Sequence, residues 1–237
     1  MSFRDGMERF VTLPRLLWSL CLVVCLVIFS FGALYSFSCL AQDDDAYMFY
    51  RYAHRLVTEH RLAWNPHDDQ SFGLTATGYL AAVLPMYFMF SDPGVVVWAA
   101  SFASGILFLV LLGVAVWRHC RSGPPYVGYV IALLLGLTLA VTSTPLAHHF
   151  SSGMDTAFSL AYGISYILVA AEFERRPTRK RSLFLGLWGA LAFLARPDLL
   201  LFSCIVPLCL IAFHPEVRAR WLAAAALGVT GLLLALE

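Results

Sequence analysis

Long apolar runs separated by short polar segments dominate the pattern of this chain. The first run, 16–40, is long enough to cross a bilayer, which takes roughly 17–25 apolar residues in a helix. It exceeds the apolar core of a signal peptide, about 7–15 residues, and therefore predicts an anchoring first helix. After a polar stretch at 42–77, further spanning candidates lie at 94–117, 125–143, 155–172, 183–195, 199–213 and 221–236. The pattern predicts an all-α, polytopic integral membrane protein with about seven transmembrane helices.

Two parts of this pattern differ from simple spans. The segments 183–195 and 199–213 are short, and we expect them to form a helix pair that turns at the Arg-Pro-Asp sequence 196–198, because proline ends a helix at the residue before it. The apolar segment 78–90 is also short, which favours a re-entrant or interfacial helix over a span.

Composition excludes an ordinary soluble domain. Apolar residues make up 60% of the chain and charged residues 13%, whereas globular proteins average about 45–50% and about 25%. The mean hydropathy is +0.74. A net charge of +1, with no basic block in a polar domain, also argues against nucleic acid as a partner.

The basic residues are unevenly distributed, which predicts the orientation. Twelve of the sixteen Lys and Arg residues lie in the N-terminus and at 118–124, 173–182 and 214–220. The positive-inside rule places these segments in the cytosol. Ten of the fifteen acidic residues then face outside. We predict a multi-pass protein of the plasma (inner) membrane with a cytosolic N-terminus, one transmembrane domain over 1–237, and an outer loop at 42–90 that carries interfacial and re-entrant helices.

Three consecutive carboxylates, Asp43, Asp44 and Asp45, stand where the first span reaches the outer interface. One interpretation is a polar stop that marks the membrane boundary. The other is a general base that accepts a proton from a hydroxyl nucleophile. Because Asp45 directly precedes a helical pattern, we expect its carboxylate to cap that helix and Asp44 to be the base.

An amphipathic helix is predicted directly after these carboxylates. Its apolar positions follow the helical period, at Phe49, Tyr50, Ala53, Leu56 and Val57. Arg51, Arg55 and Glu59 share the opposite face. A carboxylate base beside arginines suits an anionic lipid substrate with a phosphate leaving group. Alternatively, the helix lies in the interface and its arginines only extend to lipid headgroups.

The same stretch resembles the first outer loop of GT-C-fold glycosyltransferases, in particular the bacterial arabinofuranosyl- and mannosyltransferase-like group that uses polyprenyl-phosphate sugars. The matching motifs are Asp-Asp-Ala-Tyr at 44–47, Tyr-Arg-Tyr-Ala at 50–53, Leu-Ala-Trp-Asn-Pro at 62–66 and Gly-Leu-Thr at 73–75. An acidic residue commonly precedes that glycine in the family, and Phe72 stands there in this chain.

Two later segments on the predicted outer face are similar to the same family. Ser-Gly-Met-Asp-Thr at 152–156 corresponds to a Gly-Met/Leu-Glu-Thr element, with Asp155 in place of glutamate. Ala-Arg-Pro-Asp at 195–198 corresponds to a recurrent Arg-Pro-Asp/Glu turn between two spans. The three elements occur in the family's order.

The resemblance implies a GT-C-like fold that transfers a sugar, with inversion, from a polyprenyl-phosphate donor to a cell-envelope glycan or lipid acceptor. Asp44 or Asp45 is implied as the catalytic base. The residues implied in substrate binding are Tyr47, Arg51, Arg55, Thr75, His149, Asp155 and Arg196. No cofactor and no metal ligand is assigned, although the resemblance leaves a divalent metal open. Membrane lipid is the other expected partner.

Two of these residues have alternative interpretations. His148 and His149 could join Asp155 and the carboxylates at 44–45 in a metal site, bind phosphate, or only contact lipid and water. An arginine at the end of an apolar span needs a partner or a ligand. Arg196 therefore pairs with Asp198 in a structural turn, or its planar guanidinium meets the donor phosphate.

Two other classes of protein remain alternatives. One is a transporter or channel subunit, which carries ionisable residues near the membrane centre or on broken helices. The other is a non-catalytic membrane scaffold fragment. The family's chains are longer than this one, so we expect the sequence to correspond to an N-terminal portion. We also expect weak or no transfer from these residues alone.

Overall fold

A computed structural model describes residues 44–65, 73–122 and 148–235 of the chain, and every regular element in these ranges is helical. The elements, in chain order, are α1 (Ala46–Glu59), a 3₁₀ helix (Thr77–Tyr79), α2 (Leu80–Met89), α3 (Pro93–Ser122), α4 (Thr156–Arg175), α5 (Arg179–Ala190), α6 (Ala192–Ala195), α7 (Leu199–Phe213) and α8 (Val217–Leu234). The all-α prediction is therefore confirmed for the described residues.

Three of these helices are long and apolar enough to cross a membrane, and they are Pro93–Ala115, Thr156–Arg175 and Val217–Leu234. They correspond to three of the predicted spans, whereas 16–40 and 125–143 lie outside the described residues. The described residues thus fit a helical membrane protein with three candidate spans, whereas the sequence pattern predicts about seven for the whole chain.

The two short predicted segments do not reach the length of a span. The 15 residues of α7 rise about 22 Å at 1.5 Å per residue, less than the roughly 30 Å of a hydrocarbon core. The segment 183–195 is divided between α5 and α6, and α5 begins with three basic residues, Arg179, Lys180 and Arg181. The predicted turn between the two segments is confirmed, because α6 ends at Ala195 and α7 begins at Leu199.

The predicted amphipathic helix is α1, which starts at Ala46 as expected and ends at Glu59, and His60 follows it in the left-handed conformation (φ 54°). It packs on α2 and α3. Phe49 and Ala53 are buried as the pattern predicts, and Tyr52 is buried beside them. The core under α1 is completed from the following segments by Leu74, Ala76, Tyr79, Leu80, Val83, Val96 and Ala100.

A second group of helices, α4, α5, α7 and α8, packs through small residues. Gly186 lies directly against α8, since a Cβ placed there would be 2.5 Å from the carbonyl oxygen of Ala226. Thr230 Oγ1 donates to the carbonyl of Gly186 at 2.9 Å. Small residues let helix backbones approach closely, which is how apolar helices pack without a solvent-driven core.

The two groups meet through α4, which packs on α3, α5 and α7. The 3₁₀ helix also reaches α6, where a Cβ on Gly78 would lie 2.9 Å from the carbonyl oxygen of Leu194. These contacts bring the start of α1, the 3₁₀ helix, the start of α4 and the end of α6 together.

Candidate functional site

The candidate site lies where these four segments converge. Gly153 adopts a positive φ of 85°, and a Cβ there would be 2.7 Å from Cβ of Ala46 and 2.9 Å from Cγ2 of Val97. The hydroxyl of Tyr79 donates to the carbonyl of Gly153 at 3.2 Å. The loop before α4 therefore packs closely against the first residue of α1, immediately after Asp45.

Asp44 and Asp45 are both exposed at the start of α1. Their carbonyls accept from the amides of Tyr47 and Met48, each at 3.2 Å. Asp45 occupies the N-cap position, but its side chain makes no capping hydrogen bond, so the predicted cap is wrong. The reason is its helical backbone (φ −64°, ψ −23°), whereas a capping side chain normally requires an extended residue. A capping role therefore does not distinguish Asp45 from Asp44.

The two arginines of α1 contact neighbouring side chains. Arg51 lies over the ring of Trp64, 4.4 Å from its centroid, and donates to Oδ1 of Asn65 at 3.1 Å. Arg55 forms an ion pair with Glu59 one turn along. Arg51 thus holds the Trp-Asn turn to α1, and Arg55 stabilises its own helix.

Asp155 is the buried carboxyl of the site, with 5% of its surface exposed. Burial raises the pKa of Asp155, the nearby Arg196 guanidinium lowers it in part, and Asp198 raises it. Just before it in the chain, the carbonyl of Met154 accepts from Ser101 Oγ of α3 at 3.3 Å. The start of α4 is therefore fixed to α3, and the Asp155 carboxyl lies in the field of the 196–198 turn.

Arg196 pairs with Asp198 across the turn, with 3.2 Å between Nε and Oδ1. This is one of the two partners considered from the sequence. Ser159 Oγ of α4 donates to the carbonyl of Ala195 at 3.5 Å, which holds the turn against the helix that follows Asp155.

Tyr47, Thr75 and His149 are exposed around this convergence. Thr75 lies between buried Leu74 and Ala76, so the loop that carries it is held in place from both sides. The carbonyl of His149 accepts from Ser101 Oγ at 3.3 Å, which ties its backbone to α3.

Within residues 44–65, 73–122 and 148–235, no three His, Cys, Asp or Glu side chains are grouped closely enough to hold a metal ion. The possible metal site formed by His148 and His149 with Asp155 and the carboxylates at 44–45 is therefore not assembled. The rings of the two histidines are 5.8 Å apart and tilted by 55°.

Tyr79 and Ser101 were not predicted from the sequence as residues of the site. Both belong to apolar segments, where a tyrosine or serine is easily taken for ordinary packing. A hydroxyl within an apolar helix needs a hydrogen-bond partner, and this requirement was the available signal. Here the partners are the carbonyls of the loop that carries Asp155.

No family model, curated protein or solved structure matches this chain. The described residues are helical, and three of their helices are long and apolar enough to cross a membrane.

Proposed function

We propose that the protein is a membrane glycosyltransferase that transfers a sugar, with inversion, from a polyprenyl-phosphate donor to a cell-envelope glycan or lipid. The observation that carries the proposal is the convergence of the segments at 44–46, 77–79, 152–155 and 195–198. They are the segments that combine exposed carboxylates, a buried carboxyl and an arginine, the groups that such a transfer requires.

Asp44 or Asp45 acts as the general base in this proposal. Both carboxylates are exposed, so an acceptor hydroxyl can approach either of them. A base must come within about 2.6–3.2 Å of the proton-bearing atom, which an exposed side chain at a helix start allows. The family resemblance favours Asp44, the first residue of its Asp-Asp-Ala-Tyr motif.

Arg196 stabilises the leaving phosphate. A guanidinium has five N–H donors, and the ion pair with Asp198 is made through Nε, so the terminal nitrogens are suited to phosphate oxygens. Arg51 already contacts the Trp-Asn turn after α1, and Arg55 pairs with Glu59 within α1, so Arg196 is the arginine that we assign to the phosphate. The buried Asp155 carboxyl contributes to the electrostatic field around Arg196.

The proposal includes a GT-C-like arrangement of seven spans in the plasma membrane, two of which are the segments 16–40 and 125–143. The site then lies on the outer face.

The distribution of charge distinguishes this enzyme from a transporter, because a transporter carries charged residues near the membrane centre. The candidate span Pro93–Ala115 contains no charged residue. In the other two candidate spans, the charged residues lie in the last turn of α4 and in the first turn of α8. This distribution supports an interfacial enzyme over an ion pathway.

Photolabelling tests the proposal. Membranes that contain the 237-residue chain are irradiated with a photoactivatable polyprenyl phosphate, and labelling is expected to be competed by polyprenyl phosphate but not by the uncharged polyprenol. Arg196→Gln is expected to weaken labelling several-fold, whereas Glu174→Gln, an exposed residue near the end of α4, is a matched control. Labelling that polyprenol competes equally well, or that Arg196→Gln leaves intact, would contradict the proposed site.

A further inference from the structure

The starts of α5 and α8 lie side by side at the end of the molecule opposite to the site. Ser182 Oγ in the first turn of α5 donates to the carbonyl of Leu222 near the start of α8 at 2.6 Å. Arg220 Nε donates to the carbonyl of His214 at 2.6 Å, which fastens the loop before α8 to the same corner. The loops that precede the two helices therefore form one surface.

This surface, the basic corner, carries six exposed cations, and they are Arg175, Arg176, Arg179, Lys180, Arg218 and Arg220. The neighbouring Glu172 is already engaged by Arg118 and Arg181, at 3.7 Å and 2.8 Å. Among the described residues, the exposed acids at this corner are Glu174, near the end of α4, and Glu216, just before α8. The basic corner thus has a clear excess of positive charge.

The positions of these cations conflict with local helix electrostatics. The N-terminal end of a helix is the positive end of its dipole and favours acidic residues. Neither α5 nor α8 has an acidic residue in its first turn, and Arg179, Lys180 and Arg218 stand there instead. Glu216 at the N-cap of α8 is the acidic group next to these cations, and its side chain makes no capping hydrogen bond. Repulsion between two adjacent basic helix starts is relieved when anions lie against the basic corner.

Large apolar side chains border the cations. The exposed fractions are 81% for Phe213, 65% for Val217 and 74% for Trp221. Exposed tryptophan and phenylalanine beside arginine are typical of the interface between hydrocarbon and headgroups, where the ring enters the lipid and the cation meets phosphate. A phospholipid meets both features at once, because its phosphate lies against the cations and its acyl chains cover the apolar side chains.

We propose that the basic corner binds anionic phospholipid, with the headgroup phosphates against its arginines and the acyl chains against Phe213, Val217 and Trp221. This lipid site lies away from the proposed transfer site and does not depend on it. Anionic membrane surfaces attract basic residues by about 1 kcal/mol each, which corresponds to about fivefold in affinity.

Native mass spectrometry of the full chain in a non-ionic detergent tests this proposal, with phosphatidylglycerol and phosphatidylcholine of identical acyl chains. Preferential binding of phosphatidylglycerol is expected. Arg179→Gln and Arg218→Gln should each lower that affinity about fivefold and leave phosphatidylcholine binding unchanged. Arg61→Gln removes an exposed cation that follows α1 and serves as the control, with no expected change.

Three outcomes would overturn the proposal. The first is equal binding of the two lipids. The second is a loss of phosphatidylglycerol affinity in the Arg61→Gln variant that equals the loss in Arg179→Gln and Arg218→Gln. The third is full displacement of phosphatidylglycerol by soluble glycerophosphoglycerol. The last result would show that the headgroup alone is recognised and that the apolar border does not contribute.

Discussion

The two ends of the helix bundle differ in how their carboxyl groups are neutralised. At the basic end, Glu172 of α4 pairs with Arg118 of α3 and Arg181 at the start of α5. At the other end, Asp44 and Asp45 are exposed, Asp155 is buried, and Arg196 pairs with Asp198. Pairing at the basic end fixes three helices relative to one another. The acidic end retains one buried carboxyl, Asp155, whose raised pKa reflects the cost of its burial, and such a group is typical of a functional site.

The strongest test of this contrast is the removal of the proposed base. In membranes that support transfer, Asp44→Asn is expected to lower the rate on the order of 10²–10⁴-fold, the usual contribution of a general base, while binding of the carrier persists. Transfer is measured with a radiolabelled donor sugar, and carrier binding by photolabelling.

Asp45→Asn is the matched variant. Because Asp45 makes no capping hydrogen bond, its substitution should leave thermal stability nearly unchanged. Near-normal turnover of Asp44→Asn would reject the assignment to Asp44. Normal turnover of both single variants and of the double variant would reject a carboxylate base in this segment.

Gly153→Ala should have the next largest effect, because it alters the packing that brings α1 and the start of α4 together. The new Cβ would lie 2.7 Å from Ala46 and 2.9 Å from Val97, at a φ of 85°. Overpacking of this kind costs about 1–3 kcal/mol. The unfolding transition in detergent measures the loss.

Gly163→Ala is the control on the same helix group, because a Cβ at Gly163 meets no atom within 4 Å. Alanine should be neutral or stabilising there by up to about 1 kcal/mol, since glycine weakens a helix interior. Equal losses in both variants would show that the contact at Gly153 has no special role.

Asp155→Asn tests the cost of the buried carboxyl. Burial raises the pKa of Asp155 above its ordinary value of 3.8. At pH values below the ordinary pKa of 3.8, the Asp155 carboxyl is protonated in both the folded and the unfolded states. As pH rises through the raised pKa, the unfolded state loses its proton first, so stability falls and then levels off.

The asparagine variant lacks this ionisation and should match the wild type near pH 3 but exceed it in stability near neutral pH. Thermal unfolding midpoints across this range measure the difference. A wild-type stability that increases through the same range, and a variant that follows it, would contradict the assignment.

The helical class and the order of the elements were predictable because hydrophobic length and period depend on local sequence. The start of α1 at Ala46 and the turn at 196–198 are examples. The number of spans in the described residues was overestimated from the sequence, because 183–195 and 199–213 are apolar but do not reach the length of a span.

The site was predictable only as a set of residue types. The sequence placed Asp155 and Arg196 on one face, but the loop just before Asp155 is held by hydrogen bonds from Tyr79 and Ser101, which lie far away in the chain. The missing cap at Asp45 is a backbone effect that residue identity does not reveal. Long-range packing and backbone conformation therefore account for what the sequence left open.

Glu172→Gln should have the smallest effect, because its ion pairs are partly exposed to solvent. The Glu172 side chain is 39% exposed, and exposed pairs contribute about 0–1 kcal/mol. The variant retains part of the junction, since Arg181 Nη1 still donates to the carbonyls of residues 172 and 176, each at 3.1 Å. Unfolding in detergent at low and high salt measures the loss, which should diminish as salt screens the charges. Glu174→Gln, two residues along, is the control. A loss as large as that of Gly153→Ala would mean that the basic end determines stability as strongly as the packing at the acidic end, and the proposed contrast between the two ends would not hold.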